Sequence, residues 1–123
     1  MHGGVLAAYM CHGGRFNFMD VETIDRIICC GAFLDILALK GITRLEPGYS
    51  ITDDGLEEAL GICPPNRGDA CLIRTGWVQL YENARAVLGE ETGVPGVGKN
   101  AGKWLAAHGI RAAGANTIIF DII

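Results

Sequence analysis

The sequence predicts an α/β domain, and three observations carry that prediction. Short apolar runs rich in β-branched residues alternate with segments whose apolar residues recur at helical spacing. Eighteen glycines punctuate the chain, which keeps elements short and turns frequent. The length of 123 residues is one domain's worth, and 50% hydrophobic residues can fill a core without staples. The whole chain, 1–123, is therefore read as a single domain.

Residues 1–20 are rich in glycine and aromatic side chains without a clear period. They are read as an irregular segment with one strand at residues 5–10. Residues 27–39 form a long apolar run with β-branched and aromatic members and read as a buried strand. Helix is the competing reading from Ala32 onward, because Leu34, Leu37 and Ala38 also fit helical spacing; the Gly31 interruption favours strand. Residues 45–51 carry Pro47-Gly48 and read as a turn or a short extended piece. Thr52 has the chemistry of a helix N-cap, with Asp53 and Asp54 suited to the first turn. That helix should run to about Leu60 and stop at Gly61. Residues 66–69 read as a turn into a strand at residues 70–75. Residues 78–88 have the spacing of one helix, and residues 89–98 read as a loop around Pro95-Gly96. A helix over residues 99–108 should bury Trp104 and Leu105 and end at Gly109. Two short strands, residues 110–113 and 117–122, are expected around Gly114.

Ten Lys and Arg against fourteen Asp and Glu give a formal net charge of −4. The basic residues are scattered among acids, with no basic stripe to track phosphates, so nucleic acid is excluded as a partner. The longest uncharged apolar run, residues 27–34, falls far short of the ~20 residues that span a bilayer, so no membrane association is expected. The start of the chain has no basic segment ahead of an apolar one, so it does not read as a signal peptide. Five cysteines without CxxC spacing imply neither zinc nor disulfides, and Cys29-Cys30 read as small hydrophobes in a strand. A reduced, cytoplasmic protein is the simplest reading. The apolar excess predicts an obligate homo-oligomer, most simply a twofold dimer, joined through residues 5–18 and 117–123.

Four segments carry more specific information. They are Leu34-Asp35-Ile36, Arg44-Leu45-Glu46-Pro47-Gly48-Tyr49, Gly68-Asp69-Ala70-Cys71-Leu72-Ile73-Arg74-Thr75-Gly76-Trp77 and Ile110-Arg111-Ala112-Ala113-Gly114-Ala115-Asn116-Thr117. In order and rough spacing, from about Ile27 to Phe120, they resemble the cyclase family of metal-dependent hydrolases, to which bacterial kynurenine formamidases belong. The resemblance implies a swivelling β/α/β domain with a mixed sheet, here shortened, and supports a strand over residues 27–39.

The family's N-terminal motif, Gly-Thr-His-x-Asp-x-x-x-His, holds a divalent metal such as zinc or manganese that activates water. Aligning its last histidine on His12 puts Leu6 and Ala8 at the other two ligand positions. A leucine has no lone pair to donate, so no metal site and no cofactor are expected. The family's Gly-Ala-Asp-Thr stands here as Gly114-Ala115-Asn116-Thr117, and the family's later His and Glu have no counterpart before Ile123. Three functions follow from the resemblance. The first is a catalytically degenerate protein that keeps the scaffold and binds a small molecule. The second is an active metal-dependent amide or ester hydrolase whose site another subunit completes. The third is an oligomeric interaction protein.

Candidate site residues are few. His12 is the candidate acid or base, its imidazole titrating near neutrality, against the plainer reading of a glycine-flanked loop histidine. Phe16, in a segment resembling the family's Tyr-Asn-Gly stretch, is a candidate ligand contact. Arg74, Thr75 and Trp77 follow at a strand's C-terminal end, where open α/β sheets present ligands. Trp77 could equally pack under the next helix. Asp35 and Arg74 both interrupt apolar strands and are expected to form a buried pair, more structural than catalytic. His108, just before a helix-ending glycine, suits capping. The two His-Gly-Gly triplets lack a Gly-x-Ser-x-Gly elbow, Ser50 being the sole serine, and residues 93–98 lack the Lys-Ser/Thr of a phosphate loop.

Overall fold

A computed structural model describes residues 24–61 and 64–121 in full, together with the backbone of Cys11–His12 and Arg15–Phe16. The strand expected at residues 5–10, the aligned Leu6 and Ala8, and the N-terminal half of the expected dimer contact lie outside these residues. Two short strands, β1 (Cys11–His12) and β2 (Arg15–Phe16), pair antiparallel, with Cys11 opposite Phe16 and His12 opposite Arg15.

The central sheet has three parallel strands in the order β3 (Gly31–Asp35), β5 (Ala70–Arg74), β7 (Ala112–Ala115). Leu34 lies opposite Ile73, and Ile73 opposite Ala115. Parallel neighbours need long crossovers, and helices supply them. Between β3 and β5 come α1 (Ile36–Lys40), strand β4 (Ser50–Ile51) and α2 (Asp53–Ala59). Between β5 and β7 come a 3-10 turn (Trp77–Leu80), α3 (Ala84–Leu88), strand β6 (Gly96–Val97) and α4 (Lys99–Ala107). Strands β4 and β6 form a second parallel pair. The core lies on one side of the central sheet, where Leu34, Cys71 and Ile73 meet Ile36, Leu37, Leu56, Ala101 and Leu105. This is the expected α/β class, and among the described residues the central sheet is wholly parallel where the resemblance implied a mixed one.

Local chemistry explains where elements depart from expectation. The strand read over residues 27–39 shrinks to β3 and turns into α1. Asp35 caps that helix, its Oδ1 accepting the Ala38 N–H at 3.0 Å, and Gly41 closes it at φ 66°. Residues 24–30 form no strand, and Cys29 and Cys30 are exposed, contrary to their reading as buried hydrophobes. The single helix read over residues 78–88 is broken, because Asn83 starts α3 afresh by accepting the Ala86 N–H at 3.2 Å. The loop over residues 89–98 contains β6. The strand read from residue 110 begins at Ala112 because Ile110 N–H is spent on Leu105 O, closing α4. Residues 117–120 form no strand. Thr117 Oγ1 donates to Ile119 O at 2.6 Å, and pairing resumes with one bridge between Val97 and Asp121. The Thr52 cap behaves as read, accepting the Gly55 N–H at 3.1 Å, and Gly61 follows at φ 60°.

Candidate functional site

The outer face of the central sheet carries a cleft of about 470 Å³. Its floor is a cross-strand row, Phe33 on β3 beside Leu72 on β5 beside Gly114 on β7. Phe33 is 61% exposed and Leu72 53%. Gly114 keeps the row shallow on its side, since a Cβ there would sit 3.8 Å from Leu72 Cδ2. Arg74, Ala115 and Asn116 close the end where the strands finish, and Ile73 completes the wall. Open parallel sheets present ligands beyond the carboxyl ends of their strands, and this cleft reaches that edge.

Arg74 sits in register opposite Asp35, and its Nη1 donates to Asp35 Oδ2 at 3.0 Å. The expected contact is therefore present, but the expected burial is not. The Arg74 side chain is 50% exposed and that of Asp35 24%, because both lie on the open face at the strand ends. Water screens such a pair, so breaking it has a far smaller effect than breaking an interior one. Asp35 serves two partners at once. The Ala38 N–H, and then the Arg74 guanidinium, hold its carboxyl below the ordinary range. One guanidinium nitrogen is occupied, which leaves Arg74 further N–H groups for a ligand.

Thr75 and Trp77 do not line the cleft. Thr75 is completely buried. Its N–H donates to Asn116 Oδ1 at 2.7 Å, its hydroxyl donates to the same oxygen at 2.8 Å, and its carbonyl accepts the Leu45 N–H at 2.9 Å. Since a backbone N–H can only donate, the Asn116 amide must present its oxygen there. The Thr75 hydroxyl also accepts the Trp77 N–H at 3.3 Å. Trp77 is 1% exposed and packs under α3, its Nε1–H donating to Val87 O at 3.0 Å. Gly76 between them stands at φ 74°, and a side chain there would strike the Thr43 carbonyl. The tight turn after β5 thus directs Arg74 outward and Trp77 inward.

The other candidates fall elsewhere. The side chains of His12 and Phe16 lie outside the described residues. His108 caps α4 as read: its Nδ1 is 2.8 Å from Trp104 O and must carry the proton, and its ring stacks on Trp104 at 3.9 Å between centroids. Among the described residues, no three His, Cys, Asp or Glu side chains converge in a way that could hold a metal ion. Among the described residues, too, no helix is long and apolar enough to cross a membrane. Sequence reasoning missed Phe33, Leu72 and Asn116 as cleft residues. The altered Gly-Ala-Asp-Thr segment was a signal for Asn116, and the alternating exposure of β3 and β5 follows from strand geometry once strand is separated from helix.

Comparison with known proteins gives a family and structural neighbours. A family model described as Cyclase matches residues 7–122. A crystal structure of a novel cyclase superposes with a TM-score of 0.66 at 27% identity. The match covers 75% of this chain and 31% of that one, so the chain spans under a third of the neighbour's length. No curated protein matches.

Proposed function

Because the chain belongs to the Cyclase family, we propose that it keeps the family scaffold as a small-molecule binding module and has lost hydrolysis. The observation that supports this reading is the make-up of the cleft wall. Among the described residues it offers one cation, one amide and apolar surface, with no histidine, carboxylate, thiol or hydroxyl. Amide or ester hydrolysis needs a base or a metal to activate water and a donor for the oxyanion. The cleft supplies the donors alone. Asn116 stands where the family resemblance leads one to expect an aspartate, and its oxygen is already taken by two Thr75 donors. Leu6 and Ala8, at the aligned ligand positions, support the same conclusion.

The ligand this site favours has a flat apolar body to lie on Phe33 and Leu72 and an anionic group for Arg74. The resemblance to kynurenine formamidases makes an N-formyl aromatic amino acid the first probe. Titration of N-formyl-kynurenine into the protein should give saturable NMR shifts at Phe33 and Leu72. Arg74→Ala should weaken binding ~10-fold or more, the loss of one charge-assisted contact. No product should form, with or without added zinc or manganese. Hydrolysis accompanied by about one metal per chain would overturn the reading in favour of an enzyme whose site another subunit completes.

The proposal extends to assembly and setting. A twofold homodimer in a reducing cytoplasm accords with the unpaired thiols and with Ile118 and Ile119, exposed at the C-terminal end of the expected contact. Light scattering at micromolar concentration should give twice the chain mass, and a monomer there would remove the dimer from the proposal.

A further inference from the structure

We propose that Cys29 and Cys30 form an exposed vicinal dithiol that captures a thiophilic trivalent metalloid, arsenic(III), as a two-sulfur chelate. Both thiols are exposed, whereas Cys71 on the inner face of β5 is sealed at 0% exposure. The pair lies in residues 24–30, which form neither helix nor strand. It is flanked by Ile28, 87% exposed, and by Gly31, around which a Cβ would meet nothing closer than Leu72 Cδ1 at 4.0 Å. The backbone is anchored just beyond the pair, where Cys30 O accepts the Ala70 N–H at 2.9 Å. The thiols therefore stand exposed in a segment outside helix and strand, at the hydrogen-bonded entry to β3.

Geometry decides between the two things adjacent thiols can do. Neighbouring Cα atoms stand ~3.8 Å apart across a trans peptide, short of the ~4.4–6.8 Å that an ordinary disulfide spans. A direct S–S bond is therefore strained and readily reduced. A larger atom placed between the sulfurs widens the ring and relieves that strain, and soft thiolates select soft centres. The reaction is an exchange without redox change. With the arsonous form of phenylarsine oxide, two As–O bonds break and two As–S bonds form. The two thiol protons leave on the two hydroxyls as water. Closure of the second As–S bond is intramolecular, which raises affinity by a factor of ~10²–10⁴ over a single thiol.

Phenylarsine oxide added to the reduced full-length chain, read by intact mass and peptide mapping, tests this. The expected result is one phenylarsenic adduct per chain on the peptide holding Cys29 and Cys30. It should survive excess monothiol and be stripped by ethanedithiol. Cys29→Ser and Cys30→Ser should each weaken capture ~100-fold, with an unchanged circular dichroism spectrum because both side chains are exposed. An adduct mapped to Cys11, Cys63 or Cys71, one removed by monothiol, or one kept by either variant would overturn the proposal. So would a chain that closes a stable Cys29–Cys30 disulfide in preference to binding. If a serine variant fails to fold, mapping and thiol resistance in the unsubstituted chain still decide.

Discussion

The two faces of the central sheet are built from alternate residues of the same strands, yet they meet different surroundings. Leu34 and Ile73 point inward and are 1% and 2% exposed, sealed by α1, α2 and α4. Phe33 and Leu72, one residue away in each strand, remain more than half exposed. Strand side chains alternate, so a one-residue step separates the two environments. Parallel sheets are ordinarily covered on both faces, which makes the outer face the unusual one. The inner face holds the fold together, and among the described residues the outer face stays open.

The largest test of that division compares neighbours in β3. Leu34→Ala should lower stability to urea by ~2–5 kcal/mol, since it empties a sealed site. Phe33→Ala should cost under about 1 kcal/mol, as substitutions on exposed surface do. Equal losses would erase the distinction between the faces. The next effect lies where the faces meet. Asn116→Ala strands the Thr75 N–H and hydroxyl inside the protein and should cost ~1–3 kcal/mol by thermal or urea unfolding. Asn116→Asp keeps an acceptor and should recover most of that loss near neutral pH. Smaller still, Arg74→Ala should leave unfolding nearly unchanged while it weakens the ligand titration, because its ion pair is open to water. A large loss of stability there would mean the pair belongs to the inner face after all.

The smallest effect is a pH dependence. The Asp35 carboxyl is held below its ordinary value by the Ala38 N–H and by Arg74, so the folded state favours its charged form. Its contribution is full above about pH 4 and drains as pH falls through the lowered value. Asp35→Asn should flatten that acid limb of the stability curve, and an unchanged limb would remove Asp35 from the account.

Much of the inner architecture was legible from local chemistry. Thr52, Asp53 and Gly61 mark one helix by capping alone, and the turn into β5 is written in Asn66 and Asp69, which bond each other. Asp35 was legible as the partner of Arg74 and illegible as a cap, because one carboxylate in an apolar run signals either. The break before α3 was hidden for the same reason: Asn83 sits within helical spacing, and its capping bond outweighs the periodicity. The cleft was the least legible feature. Its floor needs Phe33, Leu72 and Gly114 side by side, and only the register of three strands brings residues so distant in sequence together.

The clamp around Thr75 also has a kinetic meaning. It joins position 75 to Leu45 and Asn116, the latter 41 residues away, so it closes only after both crossovers have been laid down. Contacts of such long loop separation form late, after the entropy of loop closure has been met. In a chevron, Asn116→Ala should therefore act mainly on the unfolding limb and leave the refolding rate nearly unchanged. On that view a single amide governs how long the native state persists more than how quickly it forms.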